Sequence, residues 1–148
     1  MGLVFDPDKN EIFSACKGLG LRVNRQTAVR SRQPASLTKC LASVDFKRLK
    51  PKVRNHLVEK MPFKSQRNIG TCALEWAWLA AGRTQLLLHG GEKMWDYAAG
   101  SLLLTEAGGM SCSFDLKPVF NRQLGPRSVI AASTPSLHRQ WQQCILEL

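Results

Sequence analysis

The sequence predicts an α/β fold, a layered sandwich in which a mixed β-sheet is flanked by helices. Strand-like runs alternate with helical stretches of about 10 to 15 residues along the chain, the pattern of stacked layers. The chain opens on short strand-like runs and not on a helix. Its 148 residues, 44% hydrophobic and 22% charged, suffice for one ordinary core and fall short of two, so a single domain over 1–148 is expected.

The elements follow in order. "GLVFDP" and "EIFSACKG" are short apolar or alternating runs parted by "DPDKN", whose Asp, Pro and Asn are turn formers; a hairpin is expected, with "LGLRVN" as a third strand. "LTKCLASV" reads as another strand. In "FKRLKPKVRNHLVEKM", Leu49, Val53, Leu57 and Val58 share one helical face, and Pro51 must lie in the first turn, where its missing N–H costs nothing. "NIGTCALEWAWLAAGRTQLLLHGG" predicts a helix over 70–81 closed by Gly82, then the strand "TQLLLH".

The stretch "GGEKMWDYAAGSLLLTEAGG" supplies the next helix. Asp96 falls in its first turn, where unpaired N–H groups and the positive end of the helix dipole favour a carboxylate. Ala98, Ala99, Leu102 and Leu103 are expected to fill its buried face, and Gly108 to end it in a left-handed cap. "GGMSCSF" and "RSVIAAS" read as strands. In "TPSLHRQWQQCILEL", Thr134 is the expected N-cap and Pro135 the first helical residue, with Leu137, Trp141, Cys144, Ile145 and Leu148 along one stripe.

The net charge of +10 is concentrated. Residues 17–67 hold 14 of the 21 Lys and Arg, with only Asp45 and Glu59 as acids. Such a density could be an electrostatic footprint for a phosphate-bearing partner. It lacks the interleaved aromatics on which single strands stack, so a solvated basic face is expected and a nucleic-acid partner is not. Cys16, Cys40, Cys72, Cys112 and Cys144 form no CxxC pair and have no histidine near them in sequence; they read as reduced, mostly buried small residues and not as a zinc site. No run of about 18 apolar residues occurs, and the acidic opening does not suit a signal peptide. A cytoplasmic location without membrane contact is expected.

Three segments carry a resemblance to one family. "WDYAAGSLLLTEAGG" resembles the C-terminal signature of the inositol monophosphatase family, the metal-dependent sugar and inositol phosphatases. "RNIGTCALEWAWLAAGRTQ" is similar to the family's Arg-Ser-x-Gly-Ser/Thr-Ala-Ala segment and the helix after it. "GLVFDPDKNEIFSACKGLGLRVN" resembles its Gly-Val-Val-x-x-Pro…Glu-x-Phe-x-Ala hairpin. The segments come in family order over nearly the whole chain.

The resemblance implies hydrolysis of a phosphate monoester by magnesium ions, and it assigns Asp96 as the metal-binding carboxylate of this half. It further implies that Gly70, Thr71 and Cys72 present backbone at a helix start to substrate hydroxyls. His89 falls where inositol-type members have a glutamate, and a histidine cannot accept two hydroxyl hydrogen bonds as a carboxylate does. Glu92, three residues later, either substitutes for it or is simply a solvated side chain. Arg67 matches the family's arginine, with a structural or subunit-interface role expected.

The family's upstream glutamate and Asp-Pro-x-Asp-Gly-Thr loop are absent from this sequence, and Asp6-Pro7 is followed by Asp8-Lys9 in a turn. The resemblance therefore covers the C-terminal half only. A phosphorylated small-molecule substrate is expected for the intact enzyme, with weak or absent magnesium binding and no activity for this chain alone. Unpaired sheet edges are expected to drive self-association or homodimer formation. The alternative is a non-catalytic basic module that binds nucleic acid or a protein partner.

Overall fold

Two sheets and four helices make up residues 1–147, which the computed structural model describes. The first sheet is an antiparallel meander of β1 (Gly2–Asp6), β2 (Glu11–Ala15), β3 (Leu21–Val23) and β4 (Gln26–Thr27). Its first turn is made by Asp6, whose Oδ1 accepts the N–H groups of Asp8 and Lys9 at 3.1 and 3.3 Å. The expected hairpin and third strand are present; β4 is too short to have left a pattern.

The second sheet is mixed and has the order β6-β5-β7-β9-β8. Its strands are β5 (Leu41–Val44), β6 (Ser65–Arg67), β7 (Leu86–Glu92), β8 (Met110–Cys112) and β9 (Arg127–Ala132). β5 runs parallel to β6 and β7, whereas β9 is antiparallel to β7 and β8. Both faces are covered, which explains the unbroken apolar runs of β7 and β9. Leu87, Val129 and Ala131 face one core with Trp76, Leu79, Tyr97 and Leu103. Leu86, Leu88, Ile130 and Ala132 face the other with Leu57, Leu137, Trp141 and Ile145.

The helices are α1 (Pro51–Lys60), α2 (Cys72–Ala80), α3 (Met94–Glu106) and α4 (Pro135–Leu146). α2 and α3 lie between the sheets, so the layers run sheet, helix pair, sheet, with α1 and α4 contributing to the outer core. The α2–α3 contact is close because Gly100 has no side chain; a Cβ there would stand 2.2 Å from the Cβ of Trp76. Glu106, at the end of α3, accepts the N–H groups of Gly18 and Gly20 at 2.9 Å each and ties the helix to the meander.

Several expectations need correction. "LTKCLASV" is a 3-10 turn at Leu37–Lys39 followed by the strand at Leu41–Val44, because Lys39 and Cys40 turn their N–H groups back onto Ser36 and Leu37. The helix beginning "FKRLK" is split likewise: Phe46–Arg48 is a 3-10 turn, and α1 starts at Pro51. Leu57 is fully buried there but Val58 is 60% exposed, since α1 meets the core along a narrow line. α2 begins at Cys72, not at 70, because Gly70 has φ +83°. β6 was not expected; its sequence, "SQR", lacks any strand pattern.

In α3 the buried residues are Tyr97, Gly100, Ser101, Leu103 and Leu104, while Ala98, Ala99 and Leu102 are only half-buried. Those three line an open cleft of about 760 Å³ bordered by Met1, Leu3 and Phe120. The helix packs against α2 and the meander at once, and the alanine face borders what is left open. Gly108, at φ +79°, ends α3 as expected. In α4 Thr134 caps Leu137 N–H at 3.2 Å, and the stripe includes His138; Leu148 lies outside the described residues.

Candidate functional site

The carboxyl ends of the parallel strands β5 and β7 meet the starts of α2 and α3. Asp45 follows β5, His89 and Glu92 end β7, Cys72 is the first residue of α2, and Asp96 lies in the first turn of α3. In open α/β sheets this is the end at which ligands bind, because loops and helix N-termini converge there.

His89 is 5% exposed, and both ring nitrogens are engaged. Nε2 donates to Asp45 Oδ2 at 3.0 Å, and Nδ1 accepts the Gly91 N–H at 3.0 Å. Burial holds its pKa below the ordinary value despite the neighbouring Asp45 carboxylate. Asp45 is itself fixed, since its Oδ1 accepts the Lys47 N–H at 3.0 Å.

Glu92 is fully buried. Trp76 donates its indole N–H to Oε2 at 2.7 Å, and Oε1 has no hydrogen-bond partner. Burial pushes this carboxyl up to about 8, assisted by the negative charge of Asp96, Glu75 and Asp45. Glu75, one turn into α2, is also raised by burial, although it accepts the Ile69 N–H at 3.0 Å. The half-buried thiol of Cys72 is pushed up to about 12 by burial and by the same acids.

Asp96 caps its helix: Oδ2 accepts the Lys93 N–H at 2.8 Å, and the Asp96 N–H bonds the Lys93 carbonyl at 2.9 Å. Thr71 is at the N-cap position of α2 but its side chain makes no capping bond, which leaves the first-turn N–H groups of α2 uncapped by it. Gly70 and Thr71 are exposed. Arg67 lies in β6 with its guanidinium on Ser65 and on the Gln66 carbonyl.

Gly70, Thr71, Cys72, His89 and Asp96 are thus brought to one end of the fold, and Glu92 with them. Asp45 and Trp76 were missed. In the sequence Asp45 stands out only as one of two acids in a basic segment; its position after an apolar strand, next to "FKR", is the available signal. The five cysteines are free as expected, but only Cys40 and Cys112 are buried; Cys16, Cys72 and Cys144 are half-buried. Among the described residues Cys72, His89 and Glu92 offer ligand atoms within 4.8 Å of one another. Sixteen residues lie between the cysteine and the histidine in sequence, and the β7–α2 packing closes that gap.

For magnesium the fit is poor within this chain. That ion takes hard oxygen donors, ideally six in an octahedron. Among the described residues the one group of three His, Cys, Asp or Glu side chains placed to share an ion is the mixed sulfur, nitrogen and oxygen set just named, and Asp96 is not part of it.

A layered α/β domain with helix starts gathered at the carboxyl ends of its parallel strands is the class of fold that the geometry defines. The chain belongs to the inositol monophosphatase family, whose profile matches residues 1–148. It is 35% identical to the Nus factor SuhB of Pasteurella multocida over 121 residues, covering 78% of this chain and 45% of that protein. Inositol monophosphatase 1 of Solanum lycopersicum is 32% identical over 117 residues, with 74% and 42% covered. Among solved structures, inositol monophosphatase from Anabaena superposes with a TM-score of 0.80 at 26% identity, over 99% of this chain and 58% of that one. Staphylococcus aureus inositol monophosphatase II gives 0.84 at 21% identity, with 98% and 54% covered. The chain spans about half the length of the curated relatives it matches. No described helix is long and apolar enough to cross a membrane.

Proposed function

We propose that this chain is the C-terminal half of a magnesium-dependent phosphomonoesterase acting on inositol or sugar phosphates, and that it is inactive alone. The observation that supports this most is the convergence of two helix starts on one end of the parallel strands, with Asp96 on α3 and the exposed Gly70 and Thr71 on α2. Asp96 supplies one carboxylate of the metal cluster, and its capping bond fixes the side chain toward the helix start. The first-turn N–H groups of α2, uncapped by Thr71, offer donors to hydroxyl or phosphate oxygens. His89, with both nitrogens taken, contributes shape and not a hydroxyl contact.

The remaining metal ligands belong to a loop of the Asp-Pro-x-Asp-Gly-Thr kind on a separate segment. Phosphate release from inositol monophosphate in millimolar magnesium tests the reading. The 148-residue chain alone should give no turnover. Adding a segment that carries that loop should restore it, and Asp96→Asn should abolish the restored activity. Magnesium-dependent turnover by the chain alone, lost on Asp96→Asn, would overturn the half-site reading.

A second reading, a basic binding module, is favoured by the name Nus factor borne by several relatives. Its cations would be those of residues 17–67, of which Lys50, Lys52, Arg54 and Lys60 are exposed on or beside α1. Arg30 is not available to it, because its guanidinium donates to the carbonyls of Ala107 and Ser133. Fluorescence anisotropy with an RNA oligomer at two salt concentrations separates the readings. Weak, sequence-independent binding lost steeply with salt fits a solvated face, since counterion release is then its source. Tight binding near physiological salt fits the module.

A further inference from the structure

Cys72, His89 and Glu92 come from the start of one helix and the end of one strand, and their ligand atoms lie within 4.8 Å of one another. A tetrahedral cation bound at about 2.0–2.3 Å holds its ligand atoms roughly 3.3–3.8 Å apart, so a side-chain adjustment of about an ångström closes the set. We propose that these three residues form a binding site for a zinc-class divalent cation, with its fourth coordination position open.

Three features of the surroundings support the assignment. Glu92 is fully buried with Oε1 unpartnered, while Oε2 is held by the Trp76 indole at 2.7 Å. A buried polar atom left unpaired is costly, and a cation at this point would satisfy it. The second feature is His89: its Nε2–H is given to Asp45 at 3.0 Å, the carboxylate-histidine arrangement that orients an imidazole for a metal on its other nitrogen. Binding through Nδ1 gives up the Gly91 N–H contact, at a half-buried glycine that water can serve. Third, Cys72 is the first residue of α2 and is half-buried while the other two are buried, so the open position lies on its side.

The donor set decides the class of ion. One thiolate, one imidazole and one carboxylate match borderline-soft metals of the zinc type and not magnesium. Binding replaces a proton on the Cys72 sulfur and any proton on Glu92, with no change in oxidation state. The proposal does not rest on the phosphatase reading. Its readout is the metal's own spectrum.

Cobalt(II) titrated into the full chain, kept reduced without thiols, is the test. The expected result is a thiolate-to-cobalt charge-transfer band that saturates at one cobalt per chain, together with visible bands of tetrahedral intensity. Zinc should displace the cobalt, and a large excess of magnesium should not. Cys72→Ser should remove the charge-transfer band, while Cys16→Ser and Cys144→Ser leave it intact. Asp45→Asn should weaken binding by about tenfold or more, as loss of such a supporting carboxylate does. Glu92→Gln, a change of the same shape, should also weaken it by about tenfold or more. Absence of the band in chain folded by circular dichroism, or its survival in Cys72→Ser, would overturn the proposal.

Discussion

Glu92 and Asp96 stand four residues apart and sit in opposite circumstances. Asp96 is at a helix start, where the chain's own geometry gives it a donor: the Lys93 N–H at 2.8 Å. Glu92 is at the end of a strand buried on both faces, with one oxygen on Trp76 and the other on nothing. The first acid stabilises the element it belongs to. The second raises the energy of the fold when charged, which burial reflects by pushing it up to about 8. Stability and site chemistry are thus divided between neighbouring segments, with α3 as the rigid partner and the end of β7, where a buried carboxyl oxygen lacks a partner, as the strained one.

Breaking the rigid side should have the largest effect. Gly100→Ala puts a methyl 2.2 Å from the Cβ of Trp76, an atom close to the backbone that cannot swing aside. The α2–α3 pair must separate, and a loss of about 3 kcal/mol or more is expected, read as a lower urea midpoint. A stability change near zero would mean that the helix pair is looser than its contact implies.

The strained side should respond in the opposite direction. Glu92 has a folded pKa of about 8 against an ordinary 4.5, so the folded state holds its proton more tightly than the unfolded one. Its contribution is fully present below the ordinary value and is lost as pH rises toward about 8. Glu92→Gln should remove this loss, gaining on the order of a few kcal/mol at the alkaline end and little at pH 4. Buried His89 and His138, both lowered, act with the other sign between mildly acidic and neutral pH. The difference between variant and wild-type denaturation curves, taken with a chelator present, isolates Glu92. Equal slopes in the two would sink the strained-carboxylate account.

Legibility in the sequence divides along the same line. The order of the four helices and of the strands other than β4 and β6, the hairpin turn at Asp6, the caps at Thr134 and Gly108, and the place of Asp96 were readable because each depends on residues within a few positions. The 3-10 turns at Leu37–Lys39 and Phe46–Arg48 interrupted elements whose apolar pattern ran on, and pattern alone does not register where a chain turns back on itself. The half-open alanine face of α3 was misjudged because its exposure depends on what the meander leaves uncovered. Resemblance located Gly70, Thr71, Cys72 and His89 one by one. That Cys72, His89 and Glu92 share a site, with Asp45 and Trp76 behind them, required the β5–β7–α2 packing, which no local pattern encodes.

A smaller effect should attend Asp96. Asparagine keeps an oxygen for the Lys93 N–H but loses the charge that complements the helix dipole, so Asp96→Asn should cost about 1 kcal/mol or less in stability. The same change should abolish magnesium-dependent turnover once the companion segment is present. Small loss of stability with complete loss of activity would sharpen the division between the two acids; equal, large losses of both would erase it.

The weakest expected effect concerns the meander, the part of the fold least covered. β1 is an edge strand with Leu3 51% and Phe5 49% exposed, and Met1, Leu3 and Phe120 border the apolar cleft beside α3. An open edge beside exposed apolar side chains is a surface on which a second chain can add. Opposing this, the net charge of +10 makes like chains repel at low ionic strength. Salt at about 0.15 M shortens the screening length to about 8 Å, and repulsion between molecules then fades while apolar contact does not. Light scattering of the chain across a salt series should therefore register association that grows with salt and with concentration. Phe5→Lys, on the exposed face of β1, should reduce it without lowering the unfolding free energy by more than about 0.5 kcal/mol, because that side chain belongs to neither core. A monomer at every salt concentration would mean that the meander edge is self-sufficient, and that the contrast within this fold is confined to the end of β7.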